Sequence, residues 1–302
     1  MFFDQLLVGG HQEDINCIAF LPHSTCVLSG AHDKNVVVWD TWLGVAKAVL
    51  SGHTGSVRAL SCHPDGIQFA SGSNDGTVRI WDMKALESVQ VLSKHKDQVV
   101  SVAYNSTGDW LASGSVDRSV LLWNTETWEV QRELLGHTGA VRALAWNPDS
   151  TRLVTGSSDS KIIVWIPSTG SRLKTLTGHK EYVRSVAYSP NGLQIASCSD
   201  DKTVMIWDAS SHERLFLFRK HTDYVHDVAY SPDGERLVSG SWDGTIIIWD
   251  TKTGLMLHKS NSHGAEVMSL AWSADGQMIA VGTRDNTVTN HKRVRPDKCT
   301  SL

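Results

Sequence analysis

The segment from His53 to Asp75 contains the three residue types of a hydrolytic triad, His53, Ser71 and Asp75. A serine hydroxyl that is activated by a histidine, itself oriented by an aspartate, would be a nucleophile for acyl transfer. Such a set is needed once, in surroundings unlike the rest of the protein. The catalytic interpretation therefore depends on whether the arrangement is unique in the chain.

The arrangement is not unique. Histidines recur every 42 residues from His11 to His263, which defines seven units in the 302-residue chain. In six units a serine or threonine follows the histidine by 18 residues, an aspartate by 22 and a tryptophan by 28. The chain also lacks P-loop, GxSxG and HExxH motifs. The repetition favours a structural role for these polar residues over a catalytic one.

Between these markers, apolar and polar residues alternate. The second unit reads VRALSC, QFASGS, TVRIW and SVQVL, with turns such as HPDG and NDG between them. Alternation with a period of two, bounded by Asp-Gly turns, predicts antiparallel strands joined by hairpins, four in each unit. No segment has a helical period of useful length. An all-β fold is therefore expected.

The recurring GH and WD dipeptides, in fixed register, resemble the WD40 repeat. That family forms β-propellers of four-stranded blades around a central channel. The resemblance implies one seven-bladed propeller over residues 1–293, a tail at 294–302, and units that start near residues 10, 52, 94, 136, 178, 220 and 262. Residues 3–8 have the same offset from His11 as residues 45–50 have from His53. They are expected to complete blade seven and so close the ring.

The resemblance also implies what the repeated polar residues do. In six blades, a histidine, a hydroxyl residue, an aspartate and a tryptophan are expected to form a hydrogen-bonded chain that satisfies buried polar groups. The six sets are His11, Ser29, Asp33 and Trp39; His53, Ser71, Asp75 and Trp81; His95, Ser113, Asp117 and Trp123; His137, Thr155, Asp159 and Trp165; His179, Ser197, Asp201 and Trp207; and His221, Ser239, Asp243 and Trp249.

The same resemblance places the partner-binding surface on the narrow top face of the propeller. The positions concerned are the third and fifth residues after each repeat histidine and the residue before each repeat aspartate. Several carry arginine or aromatic side chains, which are enriched at binding hot spots. The expected partner-binding residues are Asn16, Arg58, Arg142, Tyr182, Arg184, Tyr224, His226, Trp242 and Met268. Arginines beside aromatic rings suit an extended peptide with an acidic or phosphorylated side chain.

Composition narrows the class of partner. The net charge is −4 with both signs interspersed, which gives no reason to expect DNA binding. The five cysteines form no CxxC pair, which argues against a disulfide framework or a zinc site, and no apolar run is long enough to span a membrane. We expect a cytoplasmic or nuclear scaffold or adaptor without catalysis, cofactor or metal. It would act as a monomeric propeller within a larger protein complex.

Two other functions remain open at this point. Arg58, Arg142 and Arg184 could instead bind RNA or a phosphoinositide, in which case binding would be strongly salt-dependent. A propeller enzyme with a site in the central channel is less favoured, because the channel-mouth positions lack convergent carboxylates or metal ligands.

The seventh unit departs from the repeat. It keeps His263 and Asp285, but Val281 replaces the hydroxyl residue and His291 replaces the tryptophan. Asn290 stands where the other units have an apolar residue. Blade seven is therefore expected to be the least stable blade, unless this end of the sequence belongs to a truncated or misread product.

Overall fold

All regular secondary structure in the described part of the chain is β-strand. The structure is a computed structural model that describes residues 2–7, 10–260 and 264–293. These residues form 28 strands arranged as seven four-stranded sheets, with antiparallel pairing throughout. The predicted all-β, seven-bladed propeller is confirmed. No helix long and apolar enough to cross a bilayer occurs in the described ranges.

Each of the first six blades is a run of four consecutive strands. Blade one has β2 (Ile15–Phe20), β3 (Cys26–Ala31), β4 (Val36–Asp40) and β5 (Val45–Leu50). Blade two has β6 (Val57–Cys62), β7 (Gln68–Ser73), β8 (Val78–Asp82) and β9 (Glu87–Leu92). Blade three has β10 (Val99–Tyr104), β11 (Trp110–Ser115), β12 (Val120–Asn124) and β13 (Val130–Leu134).

The remaining blades follow the same order. Blade four has β14 (Val141–Trp146), β15 (Leu153–Ser157), β16 (Lys161–Ile166) and β17 (Ser171–Thr177). Blade five has β18 (Val183–Tyr188), β19 (Gln194–Ser199), β20 (Val204–Asp208) and β21 (Arg214–Phe218). Blade six has β22 (Val225–Tyr230), β23 (Arg236–Ser241), β24 (Ile246–Asp250) and β25 (Met256–Lys259). Blade seven has β26 (Val267–Trp272), β27 (Met278–Thr283), β28 (Val288–Arg293) and β1 (Phe2–Leu7).

Blade seven joins the two ends of the chain. Strand β1 pairs antiparallel with β28, from Phe2 opposite Arg293 to Leu7 opposite Val288. The N-terminal strand therefore closes the ring as predicted, although Val8 lies outside the described residues. Closure matters because β28 would otherwise expose a row of unpaired backbone groups.

Adjacent blades pack closely because small residues lie between them. Gly72 on β7 faces Val99 of the next blade, and a Cβ added to Gly72 would lie 2.9 Å from Val99 Cγ1. A Cβ on Gly30 in blade one would lie 2.5 Å from Val57 Cγ1 of blade two. The glycine near the end of the second strand, present in every blade except blade five, thus lets blades approach each other, and the apolar core lies between the sheets. The first strand of each blade lines the central channel.

Candidate binding site at the mouth of the central channel

The repeated polar residues form hydrogen-bonded sets in six blades. In blade two, His53 Nδ1 lies 2.8 Å from Asp75 Oδ2, His53 Nε2 lies 2.7 Å from Ser71 Oγ, and Trp81 Nε1 donates to Ser71 Oγ at 2.7 Å. The other five sets have the same contacts, with His–Asp distances of 2.9 to 3.1 Å. The tryptophan N–H donates to the hydroxyl oxygen, the hydroxyl donates to one histidine nitrogen, and the other histidine nitrogen donates to the aspartate. Every polar group in the set therefore has a hydrogen-bond partner.

Burial and charge fix the protonation states in this set. Burial is the main cause of a lowered pKa at His53, so the ring is neutral near pH 7. Burial acts to raise the pKa of Asp75, but hydrogen bonds from Thr77 and His53 outweigh it and bring the pKa to about 2. Ser71, which carries the hydroxyl, has no exposed surface. A substrate cannot reach it, so this set is a part of the blade interior rather than an accessible nucleophile.

Blade seven lacks this arrangement. Val281 is fully buried at the hydroxyl position, and His291 is buried where the tryptophan stands elsewhere. His263, the histidine of this unit, lies outside the described residues. Asn290 has no exposed surface, and both of its side-chain amide atoms lack a hydrogen-bond partner within the described chain. A buried, unsatisfied amide is costly.

The channel-lining residues share one backbone irregularity. In all seven blades the pairing of the first two strands shifts by one residue, for example between Val57 and Ala59, so that Arg58 is left unpaired in a β-bulge. A bulge redirects the side chain of its extra residue. The bulge residues are Asn16, Arg58, Val100, Arg142, Arg184, His226 and Met268. All seven line one central cavity of about 220 Å³.

Three of the predicted partner-binding residues are occupied by internal contacts. Asn16 and Met268 are only 5% and 7% exposed. The amide of Asn16 donates to Val57 O at 2.9 Å, and the carbonyl of Met268 accepts from His226 Nδ1 at 2.6 Å. Burial, followed by repulsion from Arg184, lowers the pKa of His226 to about 3, so the ring stays neutral. Asn16 and Met268 therefore line the cavity but present little accessible surface.

The other predicted residues, except Arg58 on β6 of blade two, converge across blades four to six. The guanidinium carbon of Arg142 lies 5.2 Å from the centre of the Tyr182 ring, and that of Arg184 lies 5.9 Å from it. Arg184 is also 6.0 Å from the Trp242 ring centre. These distances are within the range of cation–π attraction. Arg142, Tyr182, Arg184 and Trp242 therefore form a continuous arginine–aromatic cluster.

The outer part of this cluster is aromatic and accessible. The Tyr224 and Trp242 rings lie 5.2 Å apart, and His226 stacks on Trp242 at 6.2 Å with an interplanar angle of 13°. Tyr182 and Tyr224 are 42% and 37% exposed. Tyr182 and Tyr224 precede the first strands of blades five and six, so both lie at the same end of the ring.

Two residues that the sequence prediction omitted belong to this surface. Asp200 accepts two hydrogen bonds from Arg184, each 2.6 Å long, in a bidentate pair that fixes the guanidinium. Arg284 lies 5.6 Å from the Trp242 ring centre and pairs with Asp14 at 3.1 Å. Asp200 and Arg284 each stand immediately before a repeat aspartate, as Trp242 does. Their position in the repeat therefore already indicated that they lie on this surface.

The described chain offers no evident metal centre. No group of three or more histidine, cysteine, aspartate or glutamate side chains is placed to hold an ion in the described ranges. The four described cysteines, Cys17, Cys26, Cys62 and Cys198, are free thiols. Burial raises the pKa of Cys17 and of Cys62 to about 12, so both stay protonated.

Comparison with known families identifies the fold. A family model described as the WD domain, G-beta repeat, matches residues 4–40, 44–82 and 86–124. A model described as the IFT122 first beta-propeller matches residues 146–300, just over half of the chain. No individual curated protein matches the sequence. WD40 propellers are in general protein-binding scaffolds without catalytic activity. The chain belongs to the WD40-repeat β-propeller family.

Proposed function

We propose that this propeller is a non-catalytic scaffold or adaptor that binds an extended segment of a protein partner across Tyr182, Arg184, Tyr224 and Trp242. It would act as a single propeller within a larger complex in the cytoplasm or the nucleus. The observation that supports this proposal most strongly is the arginine–aromatic cluster that the repeat does not require. The repeated polar sets form hydrogen bonds inside the blades, whereas the side chains of the arginine–aromatic cluster differ from blade to blade.

The composition of the cluster suits a partner segment. Tyrosine, tryptophan and arginine combine large contact area with polar ends, and they dominate the energetics of many interfaces. The Asp200–Arg184 pair and the stacking of His226 on Trp242 hold the surface in place before a partner arrives. Such preorganisation reduces the entropy lost on binding.

Site-specific photocrosslinking tests the location of the site. A photoreactive phenylalanine at position 224 should capture the partner, which mass spectrometry then identifies. The matched control carries the same residue at position 193, because Leu193 is 65% exposed and lies in the turn at the opposite end of strand β18. Capture at position 193 but not at position 224 would contradict the proposal.

The affinity of variants for the purified partner then tests which residues form the binding site. The Tyr224→Ala, Trp242→Ala double variant should bind the partner about thirtyfold more weakly or worse, since hot-spot side chains contribute about 2 kcal/mol or more. Leu193→Ala should bind like the wild type. Equal affinity for the double variant would exclude this face. Steeply salt-dependent binding of RNA that depends on the same residues, with no protein partner, would replace the proposal with the RNA-binding alternative.

A further inference from the structure

The mouth of the central channel holds an excess of positive charge. Arg58, Arg142 and Arg184 project from β6, β14 and β18 into the same cavity. Burial is the main cause of a lowered pKa at Arg58 and at Arg142, and repulsion from Arg184 lowers the pKa of both further. Like charges held together in a half-buried site cost free energy, which is typical of sites that bind a counter-charge.

Acidic residues of the protein neutralise only part of this charge. Asp200 pairs with Arg184 alone. Among the described residues that line the cavity, Asp227 is the only acid. Its Oδ2 accepts hydrogen bonds from Ser269 Oγ at 3.1 Å and from the Leu270 backbone N–H at 2.8 Å, and burial raises its pKa. Asp227 is thus held by Ser269 and Leu270 of blade seven and by a hydrogen bond from Ser185 of blade five, and it pairs with no arginine among the described residues.

Each guanidinium also retains unused donors. Arg142 donates through Nε to Ser158 Oγ at 2.5 Å, and Arg58 donates through Nη1 to Asn16 Oδ1 at 3.0 Å. The remaining N–H groups of these two side chains make no hydrogen bond to any described residue. Each guanidinium carries five N–H donors, so most of the donor capacity of Arg58 and Arg142 has no acceptor among the described residues.

We propose that the channel mouth is a binding site for a tetrahedral oxyanion of the phosphate class, held by Arg58, Arg142 and Arg184. A phosphate or phosphoryl group carries up to two negative charges and three or more acceptor oxygens, so it can meet three guanidinium groups at once. A carboxylate has one charge and two oxygens in one plane, so it can neutralise only one of the three guanidinium charges. The anion would reduce the repulsion among the three arginines.

This site deepens the proposed function and rests on it for one point only, the origin of the anion. Arg142 and Arg184 both contact Tyr182 of the partner-binding cluster. A phosphorylated side chain of the bound segment would therefore enter the channel mouth. The anion site itself needs no partner, so it can be tested with the propeller alone.

The test is a titration of the propeller with inorganic phosphate against chloride at equal ionic strength, followed by calorimetry and by thermal unfolding. The wild type should show saturable binding and a Tm that rises with phosphate concentration. Arg58→Gln, Arg142→Gln should weaken phosphate binding about tenfold or more. Arg172→Gln, Arg214→Gln is the matched control, because it removes the same charge from exposed outer strands and should bind phosphate like the wild type.

A second variant and a second ligand complete the test. Arg58→Lys, Arg142→Lys keeps the charge but loses the forked donors, so it should fold and bind phosphate more weakly than the wild type. O-phosphoserine should compete with phosphate: tighter binding of O-phosphoserine supports a phosphorylated segment as the source, and tighter binding of inorganic phosphate supports a free anion.

The results separate this site from the partner-binding surface. Tyr224→Ala, Trp242→Ala should lose partner binding yet retain phosphate binding, so the two proposals can fail independently. No saturable response in the wild type, or equal phosphate affinity for wild type and both channel variants, would overturn the anion site.

Discussion

The hydroxyl of Ser71 offers a sharp test of the role of the repeated polar sets. Its Oγ lies 2.7 Å from both Trp81 Nε1 and His53 Nε2 in a fully buried position. Replacement by threonine and by valine compares two branched side chains of nearly equal shape, of which only threonine has a hydroxyl. The chain itself uses both residues at this position, Thr155 in blade four and Val281 in blade seven.

The expected loss of stability comes from the two polar groups that lose their hydrogen-bond partner in Ser71→Val. Valine leaves the indole N–H of Trp81 and Nε2 of His53 unsatisfied in the blade interior. Each buried polar group without a partner costs about 1–3 kcal/mol, so Ser71→Val should be about 2–6 kcal/mol less stable than Ser71→Thr. This is a large share of the roughly 5–15 kcal/mol that stabilises a typical domain.

Urea unfolding of the two variants, followed by circular dichroism, measures the difference. Both variants should unfold with the same dependence on urea, which shows that the amount of surface exposed is unchanged. Ser71→Thr should remain close to the wild type. A Ser71→Val protein within about 0.5 kcal/mol of Ser71→Thr would refute the reasoning, because such a difference is typical of a surface substitution.

Four further outcomes are expected. Asn290→Val should raise the free energy of unfolding by about 1–3 kcal/mol in urea, because the wild-type amide is buried with no hydrogen-bond partner among the described residues; unchanged or lower stability would contradict this. Amide hydrogens of blade seven should exchange sooner than those of blade three, measured by mass spectrometry, and equal protection would count against a weak blade. The free energy of unfolding should fall as the pH drops below about 6.5, where His53 titrates in the unfolded chain, and again below about 4, where Asp75 does. Both pKa values are lowered in the folded state, so the unfolded chain binds the protons first. A free energy of unfolding that stays constant in acid would be inconsistent with the paired aspartate. Removal of residues 2–7 should expose the β28 edge and cause self-association in size-exclusion chromatography, whereas a monomer of normal stability would show that closure is dispensable.

The sequence predicted the fold because each unit repeats the same information. The alternating strands, the Asp-Gly turns and the fixed positions of histidine and tryptophan recur at a spacing of 42 residues, so seven weak patterns reinforce one another. The same register identified the N-terminal segment as the missing strand of blade seven, and the structure confirms this pairing.

The contacts at the channel mouth were harder to predict, because they join blades that are far apart in sequence. Position alone did not show that Asn16 and Met268 are buried, or that the Met268 carbonyl accepts from His226. Those contacts depend on a bulge residue in each blade whose side chain or carbonyl meets the adjacent blade. The pairing of Arg184 with Asp200 also escaped prediction, since Arg184 lies on β18 whereas Asp200 lies in the turn after β19, 16 residues later.

The central claim is that the repeated polar sets hold the ring together while the unrepeated cluster at the channel mouth binds the partner. The most direct test measures the affinity of the identified partner for Ser71→Val and for Tyr224→Ala, Trp242→Ala, at a temperature where both are folded. Ser71→Val should bind like the wild type despite its lower stability, and the double variant should bind about thirtyfold more weakly or worse with nearly unchanged stability. Lost binding in Ser71→Val together with wild-type affinity in the double variant would contradict the claim.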